Sequence, residues 1–249
     1  MLNPSALNNY IGSFFGYGRW SAPIWFVGIE EAGGRTEREI EQRLAVWAVR
    51  GKKELEDAPT FYPKSGNAAW HGGNATLQPT WTQLIRMLLI AQGKPDSPSA
   101  ILDYQRNRLG TADGETCLLE LFSLPSPNLA TWNYADWSEL PWLQSRNAYE
   151  QKVLSQRITL LHQRIDHYQP RVVIFYGDGQ LKHWRRIMGN GNYPRPIPNR
   201  LISHAYDNIK FFVTKHPTNP ELQFSCDDYF RDIGCYFRTN CGARFLPRK

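Results

Sequence analysis

The sequence predicts an α/β fold, a three-layer α/β/α sandwich around a central, mainly parallel four-stranded sheet. Four runs of residues are mainly apolar instead of alternating with polar residues, which is typical of strands covered on both faces. Helical segments separate these runs, as expected for parallel strands joined by crossovers. The runs comprise residues 24–28, 116–122, 171–176 and 209–214. No internal repeat or linker divides the chain, so residues 1–249 are predicted to form a single domain.

The first half of the chain supplies the first of these strands and one well-marked helix. Residues 1–20 predict a short helix and an aromatic turn that lead into the strand. Thr36 and Glu39 have the form of a capping box, which predicts a helix over residues 36–50. Residues 51–78 are rich in Gly, Asn, Pro and Lys and predict a long surface loop, a feature that is usually functional or mobile in a compact domain.

The second half alternates helices and strands more regularly. Helices are predicted over residues 80–92 and 98–108, ahead of the second strand. The Trp-rich residues 128–145 are predicted to be irregular. Residues 146–168 show the clearest helical spacing of apolar positions, and Pro170 ends that helix before the third strand.

Composition indicates an anionic partner. Lys and Arg number 29 against 23 Asp and Glu, which gives a formal charge of +6 and a sequence pI near 9.2. A nucleic-acid backbone is the commonest polyanion that such a surface meets, so the composition favours a nucleic-acid partner. The four cysteines form no CxxC pair, which favours a reduced, cytoplasmic protein. A monomer without a metal or other cofactor is expected. No run approaches the roughly 20 apolar residues of a membrane span, and no membrane association is predicted.

Chemistry is expected at the carboxyl ends of the strands, because ligands of open parallel sheets bind there. Glu30 and Glu31 follow the first strand, Gly177 follows the third and His216 follows the fourth. Two acids, a histidine and a glycine backbone are therefore expected at one edge of the sheet. No GxxxxGK[ST] loop or G-x-G-x-x-G turn occurs, which disfavours nucleotide hydrolases and dinucleotide enzymes.

The residues at these strand ends resemble two motifs of the uracil-DNA glycosylase superfamily. Gly28-Ile29-Glu30-Glu31-Ala32-Gly33 is similar to the family's first-strand motif, and His216-Pro217-Thr218-Asn219-Pro220 is similar to its last-strand His-Pro-Ser-Pro motif. The order of the strands matches over roughly residues 20–240. Glu31 stands where the family usually has Pro, Asn219 splits the second motif, and Glu120 takes the place of a base-reading Asn.

The resemblance implies hydrolysis of an N-glycosidic bond on a base flipped out of the duplex. Glu30 would orient the attacking water, with Glu31 as an adjacent candidate, and His216 would donate a hydrogen bond to the departing base. A helix cap is the alternative role for Glu30, and a core position is the alternative for His216. The residues expected to contact the base are Gly28, Trp70, His71, Glu120, Phe122 and Asn219. The residues expected to contact DNA are Arg35, Lys215, Leu222 and Phe224, with Lys182, Arg185 and Arg186 as further phosphate contacts; Leu222 and Phe224 are the candidates for an apolar wedge.

Glu120 leads to a hypothesis about the base. An ionised carboxylate only accepts hydrogen bonds, so it would suit the amino group of cytosine or adenine better than the O4 acceptor of uracil. The predicted substrate is therefore an amino-bearing or modified base, with a modified cytosine first and defence against phage DNA as a conceivable role. The alternatives are a non-catalytic nucleic-acid-binding module on the same fold, uracil excision, and hydrolysis of free nucleosides.

Overall fold

The computed structural model of the protein describes residues 1–66, 68–222 and 225–246. The strands are β1 (Gly16–Tyr17), β2 (Ile24–Gly28), β3 (Leu55–Glu56), β4 (Thr116–Glu120), β5 (Val172–Tyr176), β6 (Leu201–Tyr206) and β7 (Ile209–Thr214). The helices are α1 (Pro4–Ser13), α2 (Glu37–Val49), α3 (Ala58–Phe61), α4 (Pro79–Ala91), α5 (Pro98–Asn107), α6 (Tyr134–Trp137), α7 (Arg146–Tyr168), α8 (Leu181–Met188) and α9 (Cys226–Phe245). Short 3₁₀ helices lie at Ala68–Trp70, Pro141–Leu143, Asp178–Gln180 and Pro220–Leu222.

The strands of the described residues form one sheet in the order β3-β1-β4-β2-β5-β7-β6. The predicted strands correspond to β2, β4, β5 and β7, and neighbours within this group pair in parallel. At the two sides of the group, β1 is antiparallel to β4 and β6 is antiparallel to β7. The α/β class is confirmed, but the sheet is mixed and has seven strands, so the predicted four-stranded sheet is not confirmed.

The additional strands escaped prediction because they are short or lack an apolar run. β1 and β3 have two residues each, which is too few for any periodicity to be read. β6 forms a hairpin with β7 through Asp207 and Asn208, and Asp207 has a φ of 51°. Asp and Asn are among the residues that adopt positive φ in such tight turns, so this dipeptide was the available signal.

Helices pack on both faces of the sheet. The consecutive residues Phe211 and Phe212 of β7 point to opposite faces. Phe211 stacks on Phe175, which in turn stacks on Trp184 of α8, whereas Phe212 packs against Phe237 of α9. The long helix α7 packs beside α8, and α4 packs beside α9. Both faces of the central strands are therefore buried, which accounts for their apolar runs.

Several predicted helices are confirmed with bounds shifted by one or two residues. α2 begins after Thr36, whose hydroxyl accepts from the Glu39 backbone N–H at 3.2 Å. The Glu39 carboxylate does not complete the expected box on Thr36, because it accepts instead from the backbone N–H groups of Gly34 and Arg35, both at 2.9 Å. α7 spans residues 146–168 as predicted, and the structured α8 and α9 lie in regions for which no helix was predicted.

The interpretation of residues 51–78 as a surface loop is wrong in part. The segment contains β3 and α3, and Phe61, Tyr62 and His71 are buried in it. These side chains pack together and against Trp81, so much of the segment belongs to the interior. Gly and Asn content misled the prediction because these residues mark turns whether or not the aromatic residues between them are buried. The Trp-rich residues 128–145 likewise contain α6 and a 3₁₀ turn.

Among the described residues, no helix combines the length and the apolar character that crossing a membrane requires.

Candidate functional site

The carboxyl ends of β2 and β5 mark the point where the chain changes direction across the sheet. From β2 the chain continues to β4 on one side, whereas the strands that follow β5 lie on the other side. Ligands of open α/β sheets bind in the crevice at such a point. The candidate site is therefore built from groups at this edge: Glu30, Glu120, Tyr176 and His216.

Glu30 is anchored by Arg146 at the start of α7. Arg146 Nη1 donates to Glu30 Oε2 at 2.5 Å, and the Glu30 side chain is only 5% exposed. Nη2 of the same guanidinium donates to Ser126 Oγ and to the carbonyl oxygens of Asn128 and Thr131, so the arginine is itself fixed. Glu30 Oε1 is buried and has no hydrogen-bond partner within the described part of the protein. One oxygen is thus anchored, and the other is free to accept a proton.

The surroundings of Glu30 adjust its basicity. Burial raises the pKa of Glu30, the hydrogen bond and charge of Arg146 oppose the rise, and the charge of Glu150 adds to it. A carboxylate with a raised pKa and one unpaired oxygen is suited to remove a proton from water. The alternative role as a helix cap is not observed, because Thr36 and Glu39 serve the start of α2.

Glu31 belongs to the interior and not to the reactive part of the site. Both of its carboxylate oxygens accept from the guanidinium of Arg43, which is 1% exposed. Tyr17 Oη donates to Glu31 Oε2 at 2.9 Å, and Arg43 Nη1 also donates to the hydroxyl of Tyr10 at 3.0 Å. Both oxygens of Glu31 are therefore engaged within the protein, whereas Glu30 keeps one oxygen without a partner. The two acids are held differently, and a catalytic role for Glu31 beside Glu30 stays a prediction.

Glu120 and Tyr176 meet above Gly28. Gly28 is the register partner of Glu120, and Tyr176 Oη donates to Glu120 Oε1 at 2.9 Å. A Cβ atom on Gly28 would fall inside van der Waals contact of both Tyr176 Oη and Glu120 Oε2. Glycine is therefore required at this position so that the two side chains can approach the backbone of β2. Its role is to make room for this pair, a more specific role than the base contact expected from the sequence.

The charge state expected for Glu120 is corrected by its surroundings. Burial raises the pKa of Glu120 well above its usual value, and the charges of Glu31 and Glu30 raise it further. Arg157 donates to the backbone carbonyl of Glu120 and not to its carboxyl group, and Glu120 Oε2 is buried without a partner in the described chain. The protonated form is favoured, with Oε1 accepting from Tyr176 and the hydroxyl free to donate. A neutral acid donates as well as accepts, so the reasoning that disfavoured uracil, which assumed an ionised carboxylate, does not hold for this form.

His216 presents a single N–H to the site. Its Nδ1 accepts from the backbone N–H of Thr218 at 3.2 Å and contacts Thr218 Oγ1 at 2.9 Å. The backbone contact requires a lone pair on Nδ1, so the proton of the neutral ring is on Nε2. Burial lowers the pKa of His216, which favours this neutral form. The ring lies 5.6 Å from the ring of Tyr176, measured between centroids.

Glu30 and His216 lie at the same edge without direct contact. β5 separates β2 from β7, so their ends are two strand spacings apart, about 10 Å. Tyr176, the last residue of β5, lies between them and contacts His216 and Glu120. The site therefore has an acid at one side, a histidine donor at the other, and a tyrosine–acid pair between.

The segments that follow β2 and β4 run together beyond the sheet. Ala32 bridges to Ser126, and the Ser126 N–H donates to the Glu31 carbonyl at 3.0 Å. Gly34, with a φ of 62°, approaches the carbonyl of Pro125 too closely for any Cβ atom. The two glycines after the acids thus allow this close approach, which fixes the backbone that carries Glu30.

Leu129 lies at the tip of the loop after β4 and is 53% exposed. Asn128 Oδ1 accepts from the N–H groups of Ala130 and Thr131, at 2.9 and 3.0 Å. Arg146 holds the carbonyl oxygens on both sides of the tip, as described above. A large apolar side chain is therefore held toward solvent by the same arginine that anchors Glu30.

No protein-family model matches the chain, and no curated protein matches it. Across the described ranges, no group of three or more His, Cys, Asp or Glu residues is arranged to hold a metal ion.

The remaining predicted base contacts are buried, packed against the core or engaged with the backbone. Phe122 is buried against Tyr149, and His71 is buried between aromatic rings. Burial lowers the pKa of His71 to about 4. Trp70 is half-buried against the core, and its carbonyl accepts from Gln105. Asn219 Oδ1 accepts from the Glu221 N–H, which caps the turn after the histidine motif.

The predicted DNA contacts include buried, ion-paired and exposed side chains. Leu222 is 6% exposed, so it is a core residue and not a wedge. Lys215 forms an ion pair with Glu221, and Arg35 has an exposed side chain. Phe224 lies outside the described residues.

Arg146 and Tyr176 are the site residues that the sequence did not single out. A cation in the first turn of a helix opposes the helix dipole, and α7 has no acid in its first turn. That unfavourable placement was the signal that Arg146 serves an acid elsewhere. Tyr176 gave no such signal, because an aromatic residue at the end of an apolar strand is ordinary core composition.

Proposed function

We propose that the protein is a DNA glycosylase that hydrolyses the N-glycosidic bond of a base flipped out of the helix. The observation that carries the proposal is the pairing at one sheet edge of an anchored acid, Glu30, with a histidine, His216, whose only proton is on Nε2. The basic composition and the resemblance of both strand-end motifs to the uracil-DNA glycosylase superfamily support it.

The reaction divides charge between the sugar and the base. Glu30 Oε1 takes a proton from water as the water oxygen bonds to the anomeric carbon, and the N-glycosidic electron pair leaves with the base. Negative charge then develops on the base, and His216 Nε2–H stabilises it by a hydrogen bond. The strands that carry them end about 10 Å apart, which supports a role for the acid on the sugar side and for the donor on the base side.

Glu120 and Tyr176 are proposed to read the base between these two groups. A neutral carboxyl group complements any edge with an adjacent donor and acceptor, which includes cytosine-type and uracil-type bases. A modified cytosine, possible in defence against phage DNA, remains one proposed substrate, and uracil becomes an equal candidate. The test of specificity is therefore a panel of bases.

The experiment measures abasic sites in labelled oligonucleotides that carry normal and modified bases in single strands and duplexes. Glu30→Gln is expected to lower excision about 10²- to 10⁴-fold, as removal of a general base does. His216→Gln is expected to lower it about 10²- to 10³-fold, as loss of one donor to a developing anion does. Glu31→Gln tests the distinction between the acids, since its effect should appear in folding stability.

The alternatives predict different results. DNA binding without abasic product from any base would support the non-catalytic binding module. Cleavage of free nucleosides together with absence of DNA binding would support a nucleoside hydrolase. Full excision by Glu30→Gln would overturn the assignment of the base.

A further inference from the structure

We infer that the exposed face of α8 binds the phosphate backbone of the nucleic acid that enters the candidate site. This inference rests on the proposed function for the identity of the partner. Lys182, Arg185 and Arg186 are exposed on this helix. The helix contains no acid, and within the described ranges no carboxylate forms an ion pair with any of the three.

The opposite face of α8 fixes the orientation of these cations. His183, Trp184, Ile187 and Met188 are buried, and Trp184 Nε1 donates to the carbonyl of Gly177 at 2.8 Å. Gly177 directly follows β5, so the helix starts at the edge that carries the site. At 1.5 Å per residue, its eight residues extend only about 12 Å from that edge. Nucleic acid held at the site would therefore pass within reach of all three charges.

An external anion would stabilise the positively charged face of α8. Lys182 and Arg186 are four residues apart on one helical face, and like charges at this spacing destabilise a helix by a few tenths of a kcal/mol. Burial lowers the pKa of His183, and the two neighbouring positive charges add to the effect. Phosphates relieve this repulsion. The Arg185 guanidinium lies 4.9 Å from the centre of the Tyr193 ring, which holds it in place while its N–H groups remain available.

An acidic partner protein or an anionic membrane would meet the same charges. The position beside the site favours nucleic acid, and none of the large exposed hydrophobic side chains of the described residues lies on α8. The acid nearest in sequence is Asp178, which is exposed in the turn before the helix.

The test compares two triple variants, each of which removes three positive charges. One is Lys182→Gln, Arg185→Gln and Arg186→Gln; the control is Lys53→Gln, Lys94→Gln and Arg238→Gln, at exposed positions on other parts of the surface. Binding of a labelled duplex of unmodified bases is measured between about 50 and 200 mM salt. Far-UV circular dichroism verifies that both variants are folded.

Each lost phosphate contact lowers the magnitude of the log–log salt slope by about 0.9 on duplex DNA. The α8 variant is expected to lose about 2 to 3 from the slope and at least about tenfold in affinity, whereas the control retains the wild-type slope. Equal slopes in the two variants, or wild-type binding to anionic vesicles but not to DNA, would overturn the inference. A third outcome separates the two proposals. If the wild type binds DNA in a salt-dependent way that the α8 variant loses, but the wild type forms no abasic product, the proposed function is overturned and the inference about α8 stands.

Discussion

Removal of Arg146 should move the pH dependence of the reaction in a direction and by an amount that the structure specifies. Arg146→Met deletes the 2.5 Å hydrogen bond to Glu30 Oε2 and leaves that carboxylate buried. Hydrogen bonds to charged groups contribute about 1.5–3 kcal/mol. At about 1.4 kcal/mol per pKa unit, the pKa of Glu30 should rise by a further 1 to 2 units, roughly.

The sign follows from the roles of the two groups. The cation stabilises the ionised acid, so its loss favours the protonated form, which cannot accept a proton from water. The acid limb of kcat/KM should move to higher pH by about 1 to 2 units. Arg146→Lys keeps the charge without the fork of donors and should show a smaller shift. The assay is abasic-site formation as a function of pH, at substrate concentrations below KM.

A matched control separates this effect from general destabilisation. Arg50→Met breaks another short pair, in which Arg50 Nε lies 2.7 Å from Glu56 Oε2 and the Glu56 side chain is fully buried. That variant should lose stability and keep the wild-type acid limb. A carbon NMR titration of the Glu30 carboxyl measures the same pKa without any activity. An unshifted titration in Arg146→Met would refute the reasoning, whatever reaction the protein catalyses.

Three further changes test other parts of the site. Because the pKa of Glu120 is raised in the folded protein, the wild type should lose stability relative to Glu120→Gln as the pH rises above about 4.5. The loss should reach up to about 1.4 kcal/mol per pH unit until the pH equals the pKa of the folded state. A stability difference in urea denaturation that stays constant across pH would contradict this. Gly28→Ala should cost about 1–3 kcal/mol by overpacking, whereas Gly12→Ala, which has open space around its Cβ position, should not; thermal denaturation compares them. Leu129→Ala should lower excision from duplexes by about tenfold and spare single strands, because an apolar side chain inserted as a wedge helps only where stacked bases must be separated. Val49→Ala, at another exposed apolar position, is the control, and equal losses on both substrates would exclude a wedge role for Leu129.

The central strands were predictable because burial on both faces leaves a direct trace in composition. β2 and β5 are uninterrupted apolar runs, β7 is apolar apart from Lys210 and Thr214, and a parallel arrangement follows from the helices between them. β1 and β3 left no such trace, since two residues carry no period. The helix α9 was missed because its apolar positions are interspersed with Asp, Arg and Cys residues that weaken the pattern.

The site was predictable in position and only partly in chemistry. The rule that ligands bind beyond the strand ends selected Glu30 and His216 from the order of elements alone. The different roles of the adjacent Glu30 and Glu31 depend on partners that are distant in sequence, Arg146 and Arg43. The charge state of Glu120 depends on burial and on the absence of a cation at its carboxyl group, which no local pattern encodes.

The neighbouring acids after β2 are constrained in unlike ways. Arg43 ties Glu31 to tyrosines deep in the molecule, whereas Glu30 is tied to a loop and keeps one oxygen open. Replacement of Glu30 is therefore expected to alter the proposed chemistry while the architecture persists, and replacement of Glu31 is expected to disturb the architecture itself. Under the proposed function, one substitution would exchange the reaction at this edge, since the residue beside it keeps the scaffold intact.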